Sequence, residues 1–100
     1  MSKLNITVPH KLSQDEALRR IKTLLGEIKT QFADKIKDMN EQWNGNTGTF
    51  SFSAMGFSVS GKLVVNSNEV ELSGNLPFAA IFLKGKIELT IRERAESLLA

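Results

Sequence analysis

The chain has 100 residues, 41% hydrophobic and 24% charged, with a net charge of +2 and no cysteine. That length buries one core and not two, and the composition belongs to a globular fold, not a disordered one. The lack of cysteine excludes disulfides, thiolate catalysis and cysteine-based metal centres, and so small a net charge does not imply a nucleic-acid partner.

Residues 1–100 therefore read as a single domain. Lys3 to Val8 alternates polar and apolar, which predicts a strand with Leu4, Ile6 and Val8 on one face, ended by Pro9. Ser13 and Glu16 fit a capping box that opens a helix. From there Leu18, Ile21, Leu25, Ile28, Phe32, Ile36 and Met39 recur at three- and four-residue spacing, predicting one long amphipathic helix over about residues 13–40. Gly26 costs about 1 kcal/mol relative to Ala, which allows a bend there but is too little to break the helix. The basic surplus also lies here, at +3 over residues 1–40 against −2 over residues 41–76, and reads as a solvated face.

Asn44 to Gly48 is rich in turn residues, and beyond it the period changes to two. Phe50 and Phe52, then Phe57, Val59, Leu63 and Val65, then Val70 and Leu72 supply the apolar faces of three strands. Serine, threonine, lysine and glutamate occupy the opposite faces. Ala54-Met55-Gly56 and Asn66-Ser67-Asn68 are short enough to make these strands a meander. Pro77 suits the first turn of a second helix, striped by Ala80, Leu83, Ile87, Ile91, Ala95 and Leu98. The expected architecture is two-layer α+β in the order β-α-β-β-β-α. Two long helices cover one face of a four-stranded, antiparallel-rich sheet.

Dimensions turn this fold into a functional expectation. A 26-residue helix is about 39 Å long, whereas a nine-residue strand spans about 30 Å. The helix end bearing Phe32, Ile36 and Met39 should overhang the sheet. With Trp43 at the helix–strand junction, these residues are the candidate interaction surface, to be met by a ligand, a partner or a second copy in a homodimer. Two helices about 10 Å apart cover nearly all of a sheet about 19 Å wide, which leaves little room for an interior cavity. Trp43 has a competing structural role as a plug at the end of the core.

Catalytic chemistry is sparse. His10, the sole histidine, lies just before the helix and is a candidate functional residue, with Asp15 or Glu16 as the nearest acids. A structural or capping role suits it better. The carboxylates have solvated, helix-dipole or sheet-surface roles, no metal motif occurs, and the scattered glycines form no phosphate-binding loop. Phe50, Phe52 and Phe57 lie on the face the helices cover, unlike the open aromatic platform of single-strand RNA binders. The N-terminus lacks an apolar signal core, and the longest apolar stretch, Leu76 to Leu83, is far short of a membrane span. A cytoplasmic protein without cofactors is the expectation.

Val8-Pro9-His10-Lys11-Leu12-Ser13, followed by Glu16-Ala17, Trp43 near a glycine, Phe50-Ser51-Phe52, Gly56-Phe57-x-x-x-Gly61 and a closing amphipathic helix, resembles the polyhydroxyalkanoic acid system protein family. The resemblance spans nearly the whole chain. It implies association with a bacterial polyester storage granule, no assigned catalytic activity, and kinship to the helix-grip, Bet v 1-like architecture. Two non-catalytic readings follow from it. One is an interaction protein that meets a granule, a granule protein or its own copy through apolar helix surface. The other is a module that holds a fatty-acyl or hydroxyacyl group between helices and sheet.

Overall fold

A computed structural model describes residues 2–54 and 56–100. The elements are β1 (Ser2–Pro9), α1 (Gln14–Ile21), α2 (Leu24–Gln31), β2 (Ile36–Asn44), β3 (Thr47–Ala54), β4 (Phe57–Val65), β5 (Glu69–Leu76), a 3-10 segment (Phe78–Leu83) and α3 (Lys84–Leu99). One antiparallel sheet of five strands runs in the order β1-β5-β4-β3-β2. The α+β class, the N-terminal strand and the β3-β4-β5 meander agree with the sequence reading. The predicted turn at Ala54-Met55-Gly56 lies partly outside the described residues, although Ala54 pairs with Phe57 across it.

The predicted long helix is corrected. It is two eight-residue helices and an additional strand, so the sheet has five strands, not four, and two helices stand between β1 and β2. The first break falls at Lys22-Thr23, where the backbone tightens: the Thr23 amide bonds the Arg20 carbonyl at 3.1 Å, and the Thr23 hydroxyl donates to the same oxygen at 2.8 Å. α2 then stops at Phe32, whose carbonyl accepts from both Lys35 and Ile36. The helical spacing of Ile36 and Met39 has a different origin. Asp38 and Met39 together oppose Phe52 in a β-bulge, with Asp38 in the left-handed region at φ 56°. The extra residue puts Ile36 and Met39, three apart, on the same sheet face.

The overhang disappears with the long helix. Each short helix is about 12 Å long. Ile36 is buried, and Phe32, Met39 and Trp43 are half-buried against the main core. That core joins Ile6 and Val8 of β1, Ile21, Leu24, Leu25 and Ile28 of the short helices, Leu63, Val65, Val70 and Leu72 of the sheet, and Ile91, Ala95 and Leu99 of α3. In the predicted last stripe Leu99, not Leu98, is fully buried, because 91, 95 and 99 keep the four-residue spacing of one helix face.

Two contacts fix how the layers meet. Gly61 and Gly74 face each other across β4 and β5, with the Phe50 ring over Gly61 and the Leu4 side chain beside Gly74. A Cβ at Gly61 would stand 2.6 Å from Phe50 Cζ and closer still to the Ser73 carbonyl oxygen. At the other end, Arg20 donates to the backbone oxygens of Leu98 at 3.2 Å and Ala100 at 2.9 Å, tying α1 to the carbonyl end of α3. Glu16 orients this arginine, accepting from its Nε at 2.7 Å and from Arg19.

Gly61→Ala should destabilise the fold by about 1–3 kcal/mol, because ring and strand must part to admit the methyl group; denaturant unfolding checks this. A second expectation concerns pH. Hydrogen bonds from Arg19 and then Arg20 lower the Glu16 carboxyl from 4.5 to about 2. Its contribution is therefore present above the ordinary carboxylate range and lost as pH falls toward 2. Glu16→Gln should flatten the stability profile between those values, with a small effect that salt diminishes because the pair is exposed.

Candidate functional site

The structure separates the residues nominated by the sequence. His10 is buried at the β1–α1 corner, with Nδ1 accepting from the Leu12 amide at 3.1 Å and Nε2 lying 3.0 Å from the Asn66 carbonyl oxygen. Its backbone amide also bonds the Asn68 carbonyl at 2.9 Å. The ring thus carries its proton on Nε2 and pins the helix entry to the β4–β5 turn, with both nitrogens engaged. Glu16, one of its two proposed acid partners, is instead held by arginines. His10→Ala should cost about 1–3 kcal/mol by leaving the Leu12 amide and Asn66 carbonyl unpaired. Thermal unfolding measures it.

Trp43 lies flat over Gly48, its ring carbons 2.8 Å from where a Cβ would stand. Its indole N–H donates to Glu41 at 2.6 Å, and the Lys22 ammonium stands 5.7 Å from the ring centre. Ring, carboxylate and ammonium make a half-covered corner between the helical break and β2. Phe32 and Met39 pack nearby against the same core. Among the described residues no cluster of three His, Asp or Glu could hold a metal, and no helix is long and apolar enough to cross a membrane.

Among the described residues the most exposed large apolar groups are elsewhere, where the chain enters α3. Phe82 is 71% exposed, Leu89 56% and Ile81 46%. Phe57, at the tip of the β3–β4 hairpin, meets Phe82 edge-on with ring centres 6.5 Å apart. Phe82 and Leu89 are seven residues apart with Gly85 between them, so they share one side of the helical path. In the sequence, Leu76 to Leu83 is too short for a membrane span and supplies Pro77, Ala80 and Leu83 to the start of the second helix. Its eight consecutive apolar residues held a further signal: a helical turn that is apolar all round cannot bury every side against one sheet.

The concavities are open ones. One of about 490 Å³ lies on the outer sheet face, and another of about 620 Å³ lies on the surface beside α2 and α3, lined by Thr23, Gly26, Glu27, Thr30, Gln31 and Arg94. Neither is enclosed between the helices and the phenylalanines of the sheet, where the acyl-binding reading places its ligand. In comparison with known families, residues 4–99 fit the family described as "Putative polyhydroxyalkanoic acid system protein". No curated protein matches the chain.

Proposed function

The chain belongs to the polyhydroxyalkanoic acid system protein family, and on that premise we propose that it is a non-enzymatic attachment protein of a bacterial polyester storage system. It works in the cytoplasm and holds to the granule through apolar surface at the entry to α3. The observation that carries this reading is the exposure of Phe82, Ile81 and Leu89 on one contiguous part of the chain. Large apolar side chains gathered on a surface are the usual mark of an interaction site. Lys84 and Lys86 lie between Phe82 and Leu89; Lys84 pairs with Glu88 at 3.8 Å, and Lys86, not ion-paired among the described residues, suits a surface of ester carbonyls. Phe32, Met39 and Trp43 are more covered, and Ile36 is buried, so they support the reading less. The element order also supports helix-grip kinship, with two short helices after β1 and the longest helix closing the chain.

Sedimentation with amorphous polyhydroxybutyrate particles tests the proposal. Wild-type protein should pellet with the particles at low and high salt, while Phe82→Asp and Leu89→Asp should leave it mostly in the supernatant without lowering thermal stability. Wild-type protein that stays in solution, or a second copy of the chain masking Phe82 in a stable dimer, would overturn it.

A further inference from the structure

The register aligns three cross-strand rows that together form a trough on the face turned away from the helices. The middle row is Leu4, Gly74, Gly61, Phe50 and Glu41. Side chains of this row belong to the helix-covered face, so on the outer face only its backbone remains, as a floor. One wall is Lys3, Asn75, Ser60, Ser51 and Asn40, and the other is Asn5, Ser73, Lys62, Thr49 and Gln42. The 490 Å³ concavity is lined by both walls and the floor over β1, β5, β4 and β3. A further 200 Å³ hollow, lined by Asn40 to Gln42 and Thr49 to Ser51, carries the same line on over β2. At about 4.8 Å between strands, the trough is about 20 Å long.

Its chemistry is one-sided. The walls hold two ammoniums, four hydroxyls and four side-chain amides, with no carboxylate and no aromatic ring. Among the described residues neither Lys3 nor Lys62 is ion-paired. Among the described residues, Asn40 alone of the wall side chains has a hydrogen bond, a long one to the Asp38 carbonyl at 3.4 Å. Glu71 lies in the next row beyond Lys62, outside the trough. Lys3 and Lys62 stand on opposite walls two strands apart, about 12 Å between their Cα atoms.

Donors repeated at strand spacing along a groove suit a linear chain with an acceptor in every unit, and unpaired ammoniums suit an anionic end. Walls without aromatic rings do not suit nucleic-acid bases, which need a stacking platform. We infer that the trough binds a linear oligomer of hydroxyalkanoate, its ester carbonyls accepting from the Ser, Thr, Asn and Gln side chains and its terminal carboxylate held by Lys3 or Lys62. This rests on the storage-polymer reading but uses a different surface from the apolar patch.

Titration of ¹⁵N-labelled protein with the linear tetramer of 3-hydroxybutyrate, as free acid and as methyl ester, tests it. Amide shifts should map to β1, β5, β4 and β3 with the free acid. Binding should weaken at least tenfold for the methyl ester, for the Lys3→Glu/Lys62→Glu variant and for Ser60→Trp, which fills the trough. Phe82→Asp should bind as wild type. Absence of binding, shifts confined to α3, or affinity that survives charge reversal would overturn the inference. Equal binding of a neutral oligosaccharide would do the same. Particle sedimentation lost in Phe82→Asp while the tetramer never binds would remove the trough site and leave the attachment role standing. Tetramer binding without particle attachment would do the reverse.

Discussion

The Gly61–Gly74 pair couples the two faces of this protein. Two residues without side chains meet across β4 and β5, so the sheet is thinnest where its middle row passes through them. From inside, the Phe50 ring takes the vacated space and stacks with Phe52 at 6.2 Å between ring centres. From outside, the same row offers only backbone and becomes the floor of a trough. A side chain at Gly61 would push Phe50 away and disturb the strand spacing that sets both walls. Core packing and outer-face shape therefore share one constraint.

A second device acts at the edge of the sheet. The bulge at Asp38 and Met39 lets β2 present Ile36, Met39 and Trp43 toward the core although their spacing is irregular for a strand. Aspartate suits the left-handed conformation there, as few larger residues do. The cost is a weakly covered corner, since Ile36 is buried but Met39 and Trp43 are covered only in part. Trp43 compensates by lying on Gly48 and bonding Glu41, which is how a polar-tipped ring is held at a half-wet site.

The same bulge explains what the sequence concealed. β1 and the meander were legible because Leu4, Ile6 and Val8, and later Val70 and Leu72, keep strict alternation on a sheet with one wet face. Ile28, Phe32, Ile36 and Met39 continue a helical period only by coincidence, because one extra residue in a strand changes a spacing of two into three. Propensity could not arbitrate, since neither Gly nor Pro marks the stop at Phe32. The expected overhang fell with that helix. The exposed cluster at Ile81 and Phe82 was legible as an apolar run, but its exposure depends on the approach to α3, which no local pattern encodes. The trough is a property of register and emerges only once ten polar residues on five strands are aligned.

The magnitudes say how the two surfaces divide the work. Fully burying a large apolar side chain gains about 1.5–3 kcal/mol. Phe82, Ile81 and Leu89 are already partly covered, with only 71%, 46% and 56% of each still to bury, so together they supply at most about 3–5 kcal/mol. Association of a free protein with a partner costs about 4–15 kcal/mol in lost motion. In the proposed attachment role the patch alone would therefore give reversible attachment, strengthened where one large particle offers many adjacent sites. It also discriminates poorly, since apolar burial carries no direction. Direction comes from hydrogen bonds, and the donors are on the opposite side of the molecule, along the trough. A protein with an indiscriminate apolar edge and a donor-lined groove can rest on a polyester surface with the patch while the trough holds a single acidic chain end. The two contacts need not compete, because the five-stranded sheet stands between them.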